Sequence, residues 1–177
     1  GGGGGGGNTG GTDASFNNIR EFTAGEGITF LNDVEISSNK LNVNGVIEFP
    51  NAKTNVGYNN DASGDGSSAV GYVNNASGSQ STAVGYNNLA SGANFPSAVG
   101  NSNIVSGNYS SAFGYINRAS GDYSSAVGCE NTASGNYSSG IGYLNEATAL
   151  GSSAFGYNNK ASGLYSVAFG LINEADG

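Results

Sequence analysis

Histidine, methionine and tryptophan are missing from this 177-residue chain, and charged residues make up only 10% of it. Without histidine there is no Ser-His-Asp or Cys-His machinery and no imidazole metal site. The single cysteine, Cys129, excludes an intrachain disulfide framework. Five basic residues stand against 13 acidic ones, for a net charge of −8. That balance leaves no basic patch for phosphate contacts and no attraction to an anionic membrane surface. No apolar run approaches the roughly 18 residues that a bilayer-spanning helix needs. No Gly-Lys-Ser/Thr phosphate loop is present, and the repeat lacks the fixed aspartate of the Gly-Gly-x-Gly-x-Asp calcium roll. These absences predict a chain that is not an enzyme. They predict no cofactor, no nucleic-acid partner and no direct membrane insertion.

Glycine, by contrast, is abundant, at 32 residues. From Val56 onward one pattern recurs: small–Val/Phe–Gly–Tyr–x–Asn–x–Ala–Ser–Gly–x–x–Ser–Ser. Its marker glycine falls at Gly57, Gly71, Gly85, Gly100, Gly114, Gly128, Gly142, Gly156 and Gly170. The step is 14 residues except once, where Ala93-Asn94-Phe95-Pro96 makes it 15. An asparagine follows three places later in every unit: Asn60, Asn74, Asn88, Asn103, Asn117, Asn131, Asn145, Asn159 and Asn173. A second glycine column runs from Gly64 through Gly78, Gly92, Gly107, Gly121, Gly135 and Gly163 to Gly177, with Ala149 as the one exception.

Two glycines per unit rule out a helix, because each costs about 1 kcal/mol in a helix interior. Short extended segments such as Ser125-Ala126-Val127-Gly128 and Asn131-Thr132-Ala133-Ser134 fit strands, with the glycines supplying positive φ at corners. One repeat is therefore one coil, and neighbouring coils pair at about 4.8 Å, so nine of them extend roughly 40 Å. The predicted fold is all-β, a parallel roll of 14-residue coils. Each coil is thin, with an interior expected to hold Ala, Val and an occasional Phe such as Phe113, Phe155 or Phe169. One roll buries little apolar surface, so lateral association into a closed oligomer is expected.

The asparagine column reads as an amide ladder that bonds the next coil or caps a corner, or else as a polar array for a ligand or ice; geometry favours the ladder. The ten tyrosines fall in two columns. Tyr58, Tyr72, Tyr86, Tyr115, Tyr143 and Tyr157 follow the marker glycine. Tyr109, Tyr123, Tyr137 and Tyr165 lie two places after the second glycine and form a candidate contact face, against the plainer reading of packing between coils. Acidic pairs such as Asp61 with Asp65 and Glu130 with Glu146 could suit a glycosidase, but they occupy variable positions of equivalent coils and read as solvated surface. Cys129 stands where tyrosine is usual and reads as a passive substitution.

The stretch Ser125 to Gly135, Ser-Ala-Val-Gly-x-x-Asn-x-Ala-Ser-Gly, resembles the head repeat of trimeric autotransporter adhesins of the YadA type. That family's pattern is roughly Ser-x-Ala-Ile-Gly-x-x-Ser-x-Ala-x-Gly. Here Val or Phe takes the Ile place and Asn the Ser place. The resemblance covers residues 56–177 and implies a left-handed roll, a homotrimer and a role in adhesion. No basic neck motif, heptad stalk or C-terminal membrane barrel is visible, and the same repeat occurs in phage tail fibres. The chain ends at the end of a unit, so it is either part of a longer protein or abuts a partner or another copy.

Residues 1–11 read as a Gly-rich tether. Residues 12–55 read as a small β cap or connector, with short strands around Ile28–Leu31, Val34–Ile36, Lys40–Val43 and Val46–Phe49 and an Asn44-Gly45 hairpin turn. The expected function is a non-enzymatic fibre module, extracellular, on a cell surface or a virion. The expected partners are other copies of itself, joined as a trimer or also end to end, and a glycan or protein receptor on a host surface. A phage tail fibre is the alternative, and a glycan- or ice-binding repeat protein a further one.

Overall fold

The computed structural model describes residues 53–176. The expected tether and N-terminal cap, residues 1–11 and 12–55, lie outside the described residues apart from the last three. From Thr54 onward the chain winds into a parallel β-solenoid, with no helix among the described residues. Each coil contributes one five-residue strand and, after the first coil, one two-residue strand; the first has only an isolated bridge from Asp61 to Asn75 at that place. The five-residue strands, from Thr54–Tyr58 to Val167–Leu171, form a nine-stranded sheet in which each pairs with the strand of the next coil. The two-residue strands, from Asn75–Ala76 to Glu174–Ala175, form an eight-stranded sheet on the other side of the coil.

Equivalent residues stand directly above one another. Ser125 pairs with Ser139, Val127 with Ile141 and Gly128 with Gly142, all in parallel register. Where the repeat is one residue longer, Thr82 still pairs with Ser97 and Gly85 with Gly100. The extra residue is therefore absorbed in the turn at Ala93–Pro96, and the sheet register is unbroken. Pro96 is fully buried there, and its carbonyl accepts from Thr82 N at 2.9 Å. It takes the inward place that Ser81 and Ser110 hold in neighbouring coils.

The interior is narrower than the sequence suggests. Its apolar content is alanine: Ala69, Ala83, Ala98, Ala112, Ala126 and Ala154 from the long strands, and Ala76, Ala90, Ala119, Ala133, Ala147 and Ala161 from the short ones, joined by Val105. The expectation that Phe113, Phe155 and Phe169 fill the interior is corrected. Phe113 is 42% and Phe169 77% exposed, and Phe155 is half-buried. Side chains alternate along a strand. With Ala112 pointing inward at zero exposure, its neighbour Phe113 must point outward. The gap between the two sheets is filled almost wholly by alanines, with Val105 the largest apolar side chain among them, and a phenylalanine would not fit.

The marker glycines are also relocated. They do not occupy the bend. Gly71, Gly85, Gly114 and Gly142 sit at the fourth position of the long strands with φ of 120–121°. A Cβ on Gly71 would lie 2.1 Å from the Gly85 carbonyl oxygen. Among the described residues the second glycine column has no positive φ; positive φ comes two places later, as at Gly66 and Gly151. It is required because the next coil passes too close: a Cβ on Gly78 would lie 1.9 Å from Gly92 O.

The left-handed backbone at the bends falls on other residues. Val73, Asn87, Ser102, Ile116, Glu130, Leu144 and Asn158, two places after the marker glycines, have φ of 52–57°. At the opposite corner Gln80, Phe95, Tyr109, Tyr123, Tyr137 and Tyr165 have φ of 51–58°. Such a conformation costs roughly 1–2 kcal/mol for an L-residue. It is held by bonds to the preceding coil: Val73 N donates to Tyr58 O at 2.9 Å, and Tyr123 N to Asn108 O at 2.8 Å.

Candidate functional site

Among the described residues no cavity opens, and no group of His, Cys, Asp or Glu is placed to hold a metal ion. The roll meets its surroundings through its outer surface. The inward columns bear on that surface because they hold it in shape.

The asparagine column is one of these. Asn74, Asn88, Asn103, Asn117, Asn131, Asn145 and Asn159 are all buried. Each closes the bend after the long strand. Asn131 Nδ2 donates to Val127 O within its own coil at 3.0 Å, to Gly142 O of the next coil at 2.8 Å and to Asn117 Oδ1 of the previous coil at 3.0 Å. Asn131 N also donates to Asn117 Oδ1, at 3.0 Å. The column starts at the half-buried Asn60, whose Nδ2 donates to Val56 O and Gly71 O at 2.9 Å each. It ends at the exposed Asn173, whose Nδ2 donates to Phe169 O at 2.9 Å. These amides face inward and are spent on the backbone, so they are not presented to a ligand. The marker glycines, Gly71, Gly85, Gly100, Gly114, Gly128, Gly142, Gly156 and Gly170, sit beside them, and a Cβ on Gly71 would come within 3.0 Å of Asn74 Nδ2.

The outer face of the nine-stranded sheet carries three columns, because the first, third and fifth residues of each long strand point the same way. The first column is Ser or Thr in most coils. The third is Val56, Val70, Val84, Val99, Phe113, Val127, Ile141, Phe155 and Phe169, with no charge and no gap. The fifth is the first tyrosine column. Tyr58 and Tyr72 stack at 5.0 Å, Tyr72 and Tyr86 at 5.4 Å, and Tyr143 and Tyr157 meet at 5.2 Å with the rings tilted by 36°. Asn101 and Cys129 interrupt this column on either side of Tyr115.

Cys129 lies beside Glu130, with Sγ 3.9 Å from the carboxylate. Partial burial, then the Glu130 charge and hydrogen bond, push its thiol above the ordinary range. Glu130 also raises the Tyr143 phenol, with smaller contributions from burial, Cys129 and Tyr157. Glu130 stands at a bend, with φ of 57°, and Glu146 on the short strand Glu146–Ala147. Further along, Lys160 bonds Glu174, which raises the lysine above its usual value, but both side chains are about half exposed and such a pair contributes little.

The second tyrosine column occupies the corner that precedes the long strands. Phe95, Tyr109, Tyr123 and Tyr137 stack in sequence, with centroids 5.2, 5.1 and 5.0 Å apart and the last two rings parallel. Tyr165 is not in this stack. It lies over Gly151, where a Cβ would come within 2.5 Å of its ring. Two features here were not anticipated from sequence. Phe95 joins the stack, displaced in the count by the extra residue of its repeat. Beside the rings runs a second polar ladder: Asn94 N donates to Asn108 Oδ1, Asn108 N and Nδ2 to Asp122 Oδ1, and Asp122 N to Asn136 Oδ1, at 2.8–3.1 Å. The available signal was the Asn or Asp that immediately precedes each of these aromatic residues.

Compared with known families, the chain matches the YadA head domain repeat over residues 56–74, 76–94, 97–117, 119–145 and 147–171. No curated protein matches it.

Proposed function

The chain belongs to the YadA head-repeat family, and from that premise we propose that it is a non-catalytic fibre module in which three copies pack side by side. The observation that carries this reading is the third column of the long strands. It is apolar at every coil, yet Val56 is 50%, Phe113 42%, Ile141 39% and Phe169 77% exposed in the single chain. A continuous apolar stripe of this length on a soluble surface marks an interface. The interior, made of alanine, serine and asparagine, buries too little apolar surface to make that stripe redundant. Closed three-fold packing would cover the same stripe on every copy.

The module acts outside the cell, on a cell-surface appendage or on a virion, and mediates attachment or assembly. Its stiffness supports this: every coil is tied to the next by a strand pair and by the Asn ladder, so the roll projects whatever it carries. A virion fibre would use the same roll joined to a different base, and imaging of the native assembly separates the two.

Sedimentation of the full chain is the test. The expected species is a trimer. Phe113→Ser combined with Ile141→Ser is expected to yield monomers that keep the β-sheet circular dichroism. A wild-type chain that sediments as a monomer at all accessible concentrations would overturn the reading.

A further inference from the structure

The corner slot two places after the second-glycine position, three in the longer repeat, holds Gly66 in one coil and Gly151, after Ala149, in another. Glycine therefore closes this corner without a side chain, and without the strain that an L-residue meets there. Yet four consecutive coils place Phe95, Tyr109, Tyr123 and Tyr137 in the slot, at φ of 51–58° and 47–61% exposed. Coil geometry does not call for them. Ring stacking returns part of the strain, about 0.5–1.5 kcal/mol per pair, but an aromatic row this exposed also presents a surface.

The chemistry of that surface is specific. The ring faces are turned to one another, so what remains for a partner is a line of ring edges, one per coil and 5.0–5.2 Å apart, with phenol hydroxyls on Tyr109, Tyr123 and Tyr137. A nucleic acid needs free ring faces for its bases and cations for its phosphates. Neither is present. The flanking ladder of Asn94, Asn108, Asp122 and Asn136 holds one carboxylate and no cation, so sulfated or carboxylated chains find no counter-charge. A neutral polyol fits: it offers a donor and an acceptor at every step and CH groups to lie against ring edges. An extended β-1,4-linked hexopyranose chain also advances, per sugar, by a distance of the same size as the coil spacing.

We propose that the corner row of Phe95, Tyr109, Tyr123 and Tyr137, with its Asn/Asp ladder, is a binding line for a neutral, extended β-linked polysaccharide that runs parallel to the roll axis, one sugar per coil. The inference deepens the attachment reading and rests on it, by naming the class of receptor. Each contact is weak, and affinity accumulates along the row, so it grows with glycan length until the aromatic coils are used up.

The experiment uses the full chain with cello- and chito-oligosaccharides of increasing length, by calorimetry, and with the insoluble polymers, by co-sedimentation. Binding is expected to rise with length up to four sugars, one per aromatic coil, and then level off. Tyr123→Gly with Tyr137→Gly is expected to weaken it about tenfold or more. The same protein should keep its fold, because Gly66 and Gly151 already occupy equivalent slots. Tyr123→Phe with Tyr137→Phe keeps the stack and is expected to lose binding through the hydroxyls alone. Absence of binding to every neutral glycan, or binding that the Tyr→Gly pair leaves unchanged, overturns the inference. Sedimentation of the same samples keeps this outcome distinct from failure of the fibre reading, which a monomeric wild type would signal.

Discussion

Asn131 Nδ2 donates to Asn117 Oδ1 at 3.0 Å across one full coil, with both side chains buried. The contact is one rung of a continuous column, since Asn131 Oδ1 in turn accepts from Asn145 N and Nδ2 at 3.0 and 2.9 Å. In a roll whose apolar interior is nearly all alanine, this column ties coil to coil where side-chain packing is thin.

Replacing Asn131 by alanine should therefore cost more than a typical surface change. The carbonyls of Val127 and Gly142 and the Asn145 amide all lose a partner inside the roll. Each buried group left unsatisfied costs about 1–3 kcal/mol. Asn131→Ala is expected to destabilise by about 3 kcal/mol or more, read as a lowered midpoint in chemical denaturation followed by circular dichroism. Loss within about 0.5 kcal/mol would show that the ladder is not holding the coils together.

Gly128 and Gly140 are predicted to respond in opposite ways to the same substitution. A Cβ on Gly128 would lie 2.1 Å from Gly142 O, at a φ of 117°. Gly140 occupies the inward slot that Ala126 and Ala154 hold in neighbouring coils, at ordinary φ, with Thr132 O 3.2 Å from the added atom. It separates the buried alanines into two clusters, one ending at Ala133 and the other starting at Ala147. Gly128→Ala should destabilise strongly, by about 3 kcal/mol or more, because backbone of two coils must separate. Gly140→Ala should stabilise by about 0.5–1 kcal/mol, through lower unfolded-state entropy and a continuous core. Thermal melts of both variants decide this.

If the stripe through Phe113 and Ile141 is covered by other copies, folding and association are linked. The melting temperature of the full chain is expected to rise with protein concentration, as for any oligomer whose subunits bind only when folded. The Phe113→Ser, Ile141→Ser protein should melt lower and independently of concentration. A wild-type midpoint that does not move over a hundredfold dilution would contradict the association.

Cys129 should be a sluggish nucleophile. Burial and Glu130 both favour its protonated form, so the thiolate is reached only in more alkaline solution than for a free thiol. Alkylation of the native protein at neutral pH is expected to be slower than that of a cysteine peptide, with its pH profile displaced upward. Glu130→Gln removes the charge and leaves the burial, so it should recover part of the rate. A profile unchanged by that substitution would remove Glu130 from the explanation.

The sequence by itself determined the period, the parallel stacking of coils and the in-line columns. Equal spacing of glycine and asparagine leaves only a structure in which every 14-residue unit meets the same surroundings. It also excluded histidine chemistry outright. The tertiary structure decided which side each column faces. A strand alternates regardless of which residue is larger, and only the closeness of the two sheets shows that alanine goes in while Val127 and Phe113 go out. It decided as well that the bends fall on Val73, Tyr109 or Tyr123 rather than on the marker glycines, because hydrogen bonds from the adjacent coil hold a strained backbone that local propensity would not choose. The stack of Phe95 on Tyr109 came from the same source: a turn that swallows one extra residue restores a register that counting along the chain had lost.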